Sequence, residues 1–315
     1  MFNMLSPAGA HARLTVLIFH RVLAEPDPLF PGEPDASRFE TQMRWVKAWF
    51  NVLPLTEAVE RLRTSTLPAR AASITFDDGY ADNCTVALPI LQRVGLHATF
   101  FIATGYLDGG RMWNDTVIET VRGAKGADID LTLLGLGRHT INTIENRQIA
   151  VRKLLGMLKY LEPSSREQLA NSLAEVARIQ PPRDLMLTAD QVRKLYISGM
   201  TIGAHTVSHP ILSCVSDEQA RAELVQSKKQ LEAVIGDEVM LFAYPNGKPA
   251  VDYTAVHVHL VRESGFLAAV STGWGAASRN SDVFQIPRFT PWDRQRWRYA
   301  LRLAGNMRGA VVIAH

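Results

Sequence analysis

Short apolar runs alternate with longer amphipathic stretches along most of this chain, and that alternation constrains the fold more than any other feature. Residues 15–19, 73–76, 98–103, 200–203, 240–244, 267–271 and 285–289 are short, β-branched or aromatic, and mostly apolar throughout. A strand with one face in water alternates polar and apolar residues. A strand covered on both faces, as in a parallel sheet, reads as a continuous apolar run. Between these runs lie helix patterns with recognisable ends. Ser37 leads into Phe39, Met43, Val46 and Phe50, while Thr188/Gln191 and Ser216/Gln219 have capping-box spacing. Asp82 or Asn83 is placed to cap a helix carrying Val86, Ile90, Leu91 and Val94, which Gly95 ends. Repeated β-then-α order predicts an α/β fold: a parallel sheet with right-handed crossovers, closed or nearly closed into a barrel.

The segment 108–187 breaks this rhythm. It opens with Trp113-Asn114-Asp115, continues through helix-like stretches at 146–161 and 164–179, and ends at Pro181-Pro182. It reads as a mostly helical insertion after one strand, large enough to cover one face. The whole of 1–315 is otherwise expected to be one catalytic unit. With 47% hydrophobic and 21% charged residues the composition is that of a globular protein, and a formal charge of +3 gives no argument for nucleic acid. Cys84 and Cys214 are far apart and in no metal spacing, so free thiols are expected. The first residues lack a basic n-region and a sustained apolar core, and no apolar run is long enough to span a bilayer. A cytoplasmic protein is therefore expected.

The chemistry gathers at the ends of the predicted strands. Asp77-Asp78-Gly79-Tyr80 follows one, His205-Thr-Val-Ser-His209-Pro210 follows another, His20 follows a third and Pro245-Asn246-Gly247 a fourth. In barrels of βα units that rim is where active sites form. Two imidazoles and one carboxylate are ligands for a divalent metal with a position left for water, and the second carboxylate is free to act as a base. Asp-Asp-Gly alone is ordinarily a turn. Its pairing with His-x-x-x-His, each at a strand end, is what makes the signal specific.

Thr75-Phe76-Asp77-Asp78-Gly79 and His205–His209-Pro210 resemble the first two motifs of the polysaccharide deacetylases, the family 4 carbohydrate esterases of NodB-homology type. Phe242-Ala-Tyr-Pro-Asn-Gly247 resembles a variant of the third, and the likeness spans 14–289 apart from the insertion. The resemblance implies a deformed (β/α) barrel and a metal-dependent hydrolase that removes N-acetyl groups from amino sugars in polysaccharide or lipid-linked saccharide biosynthesis. It implies Asp78, His205 and His209 as ligands of a divalent ion, zinc before cobalt or nickel, and Asp77 as general base. A metal-bound carboxylate is locked in its charged form, whereas its unbound neighbour stays available, which agrees with that assignment. The Asn246 N–H is the expected oxyanion donor beside the metal. Tyr80, Trp113, Asn114, Tyr244 and Pro245 are expected to contact the saccharide. A non-sugar cyclic amide as substrate, or an inactive saccharide-binding protein, are the alternatives.

The sequence also departs from the family pattern. An arginine that orients the base is replaced by Ala243, and Arg288 is the residue expected to supply a guanidinium instead. No clear fourth motif is present. For the general acid, His20 is expected over His315, which would make the chain similar to the circularly permuted poly-N-acetylglucosamine deacetylases. Near the end, Trp297, Tyr299 and Leu301 with Arg294, Arg298 and Arg302 suggest a basic, aromatic helix able to lie on the anionic inner face of a membrane.

Overall fold

The computed structural model describes residues 2–309 and 311–315. Its strands are β1 (Leu14–Phe19), β2 (Asn51–Val52), β3 (Ala71–Phe76), β4 (Thr99–Ile102), β5 (Asp128–Leu131), β6 (Gly137–Thr140), β7 (Thr201–Ala204), β8 (Leu241–Ala243), β9 (Ala268–Val270) and β10 (Arg288–Phe289). The α-helices are α1 (Phe2–Leu5), α2 (Ala36–Trp49), α3 (Leu55–Arg63), α4 (Leu88–Val94), α5 (Trp113–Gly123), α6 (Ile144–Leu158), α7 (Pro163–Val176), α8 (Ala189–Ile197), α9 (Asp217–Ile235), α10 (Ala255–Glu263) and α11 (Arg296–Asn306).

Eight strands form one parallel sheet in the order β10-β1-β3-β4-β7-β8-β9, with β2 pairing beside β3. A parallel bridge between Val270 and Ile286 brings the two ends together, so the sheet is a nearly closed barrel. Strands of two to six residues make it a deformed one. Because β1 lies between β3 and β10, the first strand and the last stand on the same stretch of rim as the Asp77-Asp78 turn. The register places Phe19 opposite Phe76, which puts His20 level with Asp77.

Strand alternation sorts side chains into two cores. Leu17, Phe19, Ile74, Phe76, Phe100, Ile202 and Phe242 face the helices and pack with α2, α4, α8, α9 and α10. Val16, Phe101, Leu241, Ala243, Val270 and Ile286 fill the barrel, with Leu55, Val59 and Leu62 of α3 closing its base. Burying each such side chain contributes about 1.5–3 kcal/mol, which is how strands this short persist. β7 lies so close to β4 that a Cβ on Gly203 would stand 2.4 Å from the Phe101 ring. Among the described residues no helix is long and apolar enough to cross a membrane.

Some expectations hold and others are corrected. The segment 108–187 contains α5, α6 and α7 around a core of its own, but also the antiparallel hairpin β5–β6. The cap of α2 is Asp35, which accepts from the Arg38 N–H, and lies two residues before Ser37. Both capping boxes form, at Thr188 and Ser216. Asp82 and Asn83 cap nothing: a π-helical turn at 83–87 precedes α4, and their side chains turn back to the 20–22 loop. In α11, Tyr299 is fully buried against Trp45 and Trp49, while Trp297 and Leu301 are exposed. Arg302 pairs with Asp293 at 2.5 Å and covers Trp292, so the helix presents a narrower aromatic face than its sequence suggested.

Candidate metal centre and active site

The turn after β3 is made by two consecutive residues in the left-handed region, Asp78 at φ +74° and Gly79 at φ +87°. The Asp77 N–H donates to the Phe19 carbonyl at 2.9 Å, and the Asp78 carbonyl accepts from Ala103 N–H at 3.2 Å. The two carboxylates are thereby sent in different directions. After β7, Thr206 at φ +66° and His209 at φ +52° curl the chain so that both imidazoles face Asp78, and Asn246 at φ +57° turns the chain after β8. Non-glycine residues held there carry strain, and Asp78, Thr206, His209 and Asn246 are four of the nine such residues among those described.

Nε2 of His205 and Nε2 of His209 each lie 3.4 Å from Asp78 Oδ1. One ligand atom from each of the three residues falls within 4.8 Å of the others. Bonds of about 2.1 Å at tetrahedral angles require ligand atoms ~3.4 Å apart, so the set fits a divalent ion. The His205 Nδ1–H donates to the Ala243 carbonyl at 2.7 Å, so any further proton on the ring sits on Nε2, and in the neutral ring Nε2 offers its lone pair on the Asp78 side. Burial lowers the His209 imidazole to about 4, so its ring is neutral and ready to ligate. For His205 burial acts in the same direction, but Asp77 and Asp78 outweigh it and hold the ring above its usual value. A cation at this point would displace that proton.

Asp77 is buried and faces the barrel interior. Arg288 grips it with both arms, Nη1–Oδ1 at 2.7 Å and Nη2–Oδ2 at 2.6 Å. The guanidinium is itself fixed by the Ser271 carbonyl at 2.9 Å and Thr75 Oγ1 at 3.2 Å. Burial pushes the Asp77 carboxyl up, but Arg288 and His205 prevail and hold it below the usual carboxylate range. A guanidinium thus stands where Ala243 cannot supply one, reaching Asp77 from β10 on another part of the barrel.

His20 is exposed and lines a cavity of about 270 Å³ together with Asp78, Tyr80 and Asn114. Its loop is held by Asp82, which accepts from Val22 N–H at 3.1 Å and Arg21 Nε at 2.8 Å, and by Asn83 Nδ2, which donates to the His20 carbonyl at 2.9 Å. His315 does not line this cavity; the backbone of its neighbour Ala314 bonds to Gln285. The Asn246 N–H has no acceptor among the described residues, and Asn246 lines a second cavity with His209, Trp113 and Asn114. Tyr80 lines the first cavity, but its hydroxyl donates to Asp115 at 3.0 Å. Tyr244 is placed elsewhere: it is 1% exposed, stacked on Tyr253 at 3.9 Å, with its hydroxyl on the Phe284 carbonyl. It follows Phe242 by two and shares that residue's helix-facing side, so the structure removes it from the saccharide contacts. Pro245 is buried beneath the Asn246 turn.

One positioning group had no sequence signal. Glu223 of α9 accepts from the N–H of Val207 at 2.6 Å and of Ser208 at 2.9 Å, and from Ser208 Oγ at 2.6 Å. It braces the loop that carries both histidines. In sequence it is one more acid on the polar side of an amphipathic helix.

A parallel barrel with a carboxylate–imidazole cluster on its C-terminal rim carries that cluster where barrel enzymes carry their active sites. The polysaccharide deacetylase profile matches residues 64–268, and the chain belongs to that family. Asp77, Asp78, His205, His209 and Asn246 fall within the matched segment, whereas His20 and Arg288 lie outside it. YxkH of Bacillus subtilis (strain 168), named as a polysaccharide deacetylase, is 21% identical over 279 residues, which is 88% of this chain and 71% of that protein. Among solved structures, IcaB from Ammonifex degensii superposes with a TM-score of 0.61 at 16% identity, covering 96% of this chain and 99% of that one. The Streptococcus pyogenes deacetylase PplD, solved with acetate, gives 0.58 at 19% identity over 89% and 92%. These likenesses establish the deformed (β/α) barrel of the deacetylases.

Proposed function

We propose that this chain is a metal-dependent hydrolase that removes N-acetyl groups from the amino sugars of a polysaccharide or lipid-linked saccharide. The observation that carries the reading is the division of labour between adjacent carboxylates. Asp78 faces two imidazole nitrogens at ligand spacing, while its neighbour Asp77 is not among those contacts and is clamped by Arg288. A divalent ion on Asp78, His205 and His209, zinc by the nitrogen-and-oxygen donor set, would polarise the acetamide carbonyl and acidify the attacking water.

The remaining work falls to the chain itself. Each Asp77 oxygen accepts one bond from Arg288 and keeps a lone pair, so the carboxylate can still take a proton from the water. The Asn246 N–H, held in a left-handed turn, is free to donate to the oxyanion. His20, in the cavity beside Asp78, protonates the departing amine. The test is to measure the metal content of the purified protein and acetate release from chitotetraose, for wild type and His209→Ala. Metal and acetate release should be lost together in the variant. Acetate release that survives both chelation and His209→Ala would overturn the reading.

A further inference from the structure

The cavity of about 250 Å³ that His209 and Asn246 share with Trp113, Asn114, Lys159 and Arg166 has two cationic side chains in its lining and no carboxylate. Arg166 is the unusual member. It is 5% exposed, its Cζ lies 4.9 Å from the Trp113 ring centroid, and its Nη1 donates to the Lys159 carbonyl at 3.1 Å. Its Nε has no hydrogen-bond partner, and Arg166 enters no ion pair among the described residues. The nearby acids are committed or apart. Glu162 caps α7 through Ser165 N–H at 2.9 Å, and Glu223 braces the histidine loop. Glu162, Glu167 and Glu223 all line a different cavity that Arg166 also borders, but none of them pairs with it among the described residues.

Glu162 and Glu167 act on Arg166 only from beyond ion-pair distance; a buried guanidinium with no carboxylate in contact is costly, and an aromatic face offsets only part of that cost. Its planar fork is shaped for the oxygens of a phosphate or carboxylate. We propose that this cavity is an anion subsite: the saccharide presented to the metal centre carries a phosphate or carboxylate next to its N-acetyl group, and Arg166 with Lys159 binds it. The proposal rests on the deacetylase reading and sharpens it to an anionic glycan. A neutral chain would leave Arg166 without a contacting anion in the complex as well.

The test uses the metal-loaded full chain and two matched pairs of probes. N-acetylglucosamine 1-phosphate is compared with methyl N-acetylglucosaminide, and a hyaluronan tetrasaccharide with chitotetraose. In wild type, kcat/KM for acetate release should favour the anionic member of one pair by on the order of ten- to a hundredfold. The favoured pair identifies phosphate or carboxylate. The preference should shrink with added salt, and Arg166→Gln should bring the ratio toward one, mainly through KM. Ratios near one in wild type, or Arg166→Gln lowering both members of a pair equally, overturn the proposal, the second outcome meaning that Arg166 only packs on Trp113. If Arg166→Gln does not fold, Lys159→Gln is read in the same way. If no probe releases acetate, the deacetylase reading fails separately, and calorimetric binding of the same pairs decides the subsite. Tighter binding of an anionic probe, weakened by Arg166→Gln or Lys159→Gln, sustains it; no preference for either anion overturns it.

Discussion

Arg288→Met removes one half of a pair that bulk water does not reach, with side chains 0% and 3% exposed for Arg288 and Asp77. Deleting one partner of such a pair costs about 3–5 kcal/mol, because the other charge stays buried and uncompensated. At roughly 2–4 °C per kcal/mol, the melting temperature should fall by on the order of 10 °C. The pH dependence should also change sign. In wild type the folded Asp77 carboxyl lies below its ordinary 3.8, despite burial, because Arg288 and His205 stabilise the anion. Its contribution is present above the unfolded pKa and is lost as pH falls through the folded one. Without Arg288, burial dominates and the folded value rises above the unfolded one. The variant then loses stability as pH increases through that window, and the acid limb of kcat/KM moves to higher pH, since the base must be ionised to act. Urea midpoints of chelator-treated protein from about pH 3.5 to 8 measure the first effect; acetate release by metal-loaded protein measures the second. An unchanged midpoint together with an unchanged acid limb would show that Arg288 does not hold Asp77.

The remaining predictions address the other parts of the site. Asp77→Asn should keep its metal while turnover falls by on the order of 10²–10⁴-fold; retained acetate release removes Asp77 as base. His20→Ala should lower kcat with metal content unchanged, and deleting His315 should change little; the opposite pattern restores the terminal histidine as acid. Glu223→Ala should weaken metal binding about 10–100-fold in chelator competition, with partial recovery in Glu223→Gln, and an unaltered affinity denies the bracing role. Burial raises the Asp115 carboxyl from 3.8 to about 7, so chelator-treated wild type should lose up to ~4 kcal/mol as pH rises from about 4 to 7. Asp115→Asn should remove that loss, as seen in urea midpoints, and a variant that tracks wild type across this window refutes it.

What could be read from the sequence depended on how local the determining interactions are. Asp78, His205 and His209 converge because each sits at a strand end in a short motif whose turn is written in adjacent residues, and a parallel barrel brings strand ends to one rim without further specification. Arg288 was legible only as a guanidinium at the end of a late run. Its grip on Asp77, 211 residues away in the chain, depends on β10 pairing with β1 at Val16↔Arg288, a register that no short pattern encodes. Tyr244 was misplaced although the signal was present, since period-two alternation from Phe242 sends it to the helix-facing core and Ala243 to the barrel. The β5–β6 hairpin was missed for a related reason: Asp128-Ile-Asp-Leu131 alternates cleanly, but over too few residues to outweigh the helical stretches around it. Glu223 and Arg166 left no trace at all. One is an acid on a helix whose neighbours are mostly solvated, and the other is a basic residue whose burial follows from how α7 packs on α5 around Trp113. Residues that would touch the metal announce themselves because chemistry restricts their type and spacing. Residues that position them, or meet the rest of the substrate, are restricted only by where the fold happens to bring them, and they emerge once side chains are placed in space.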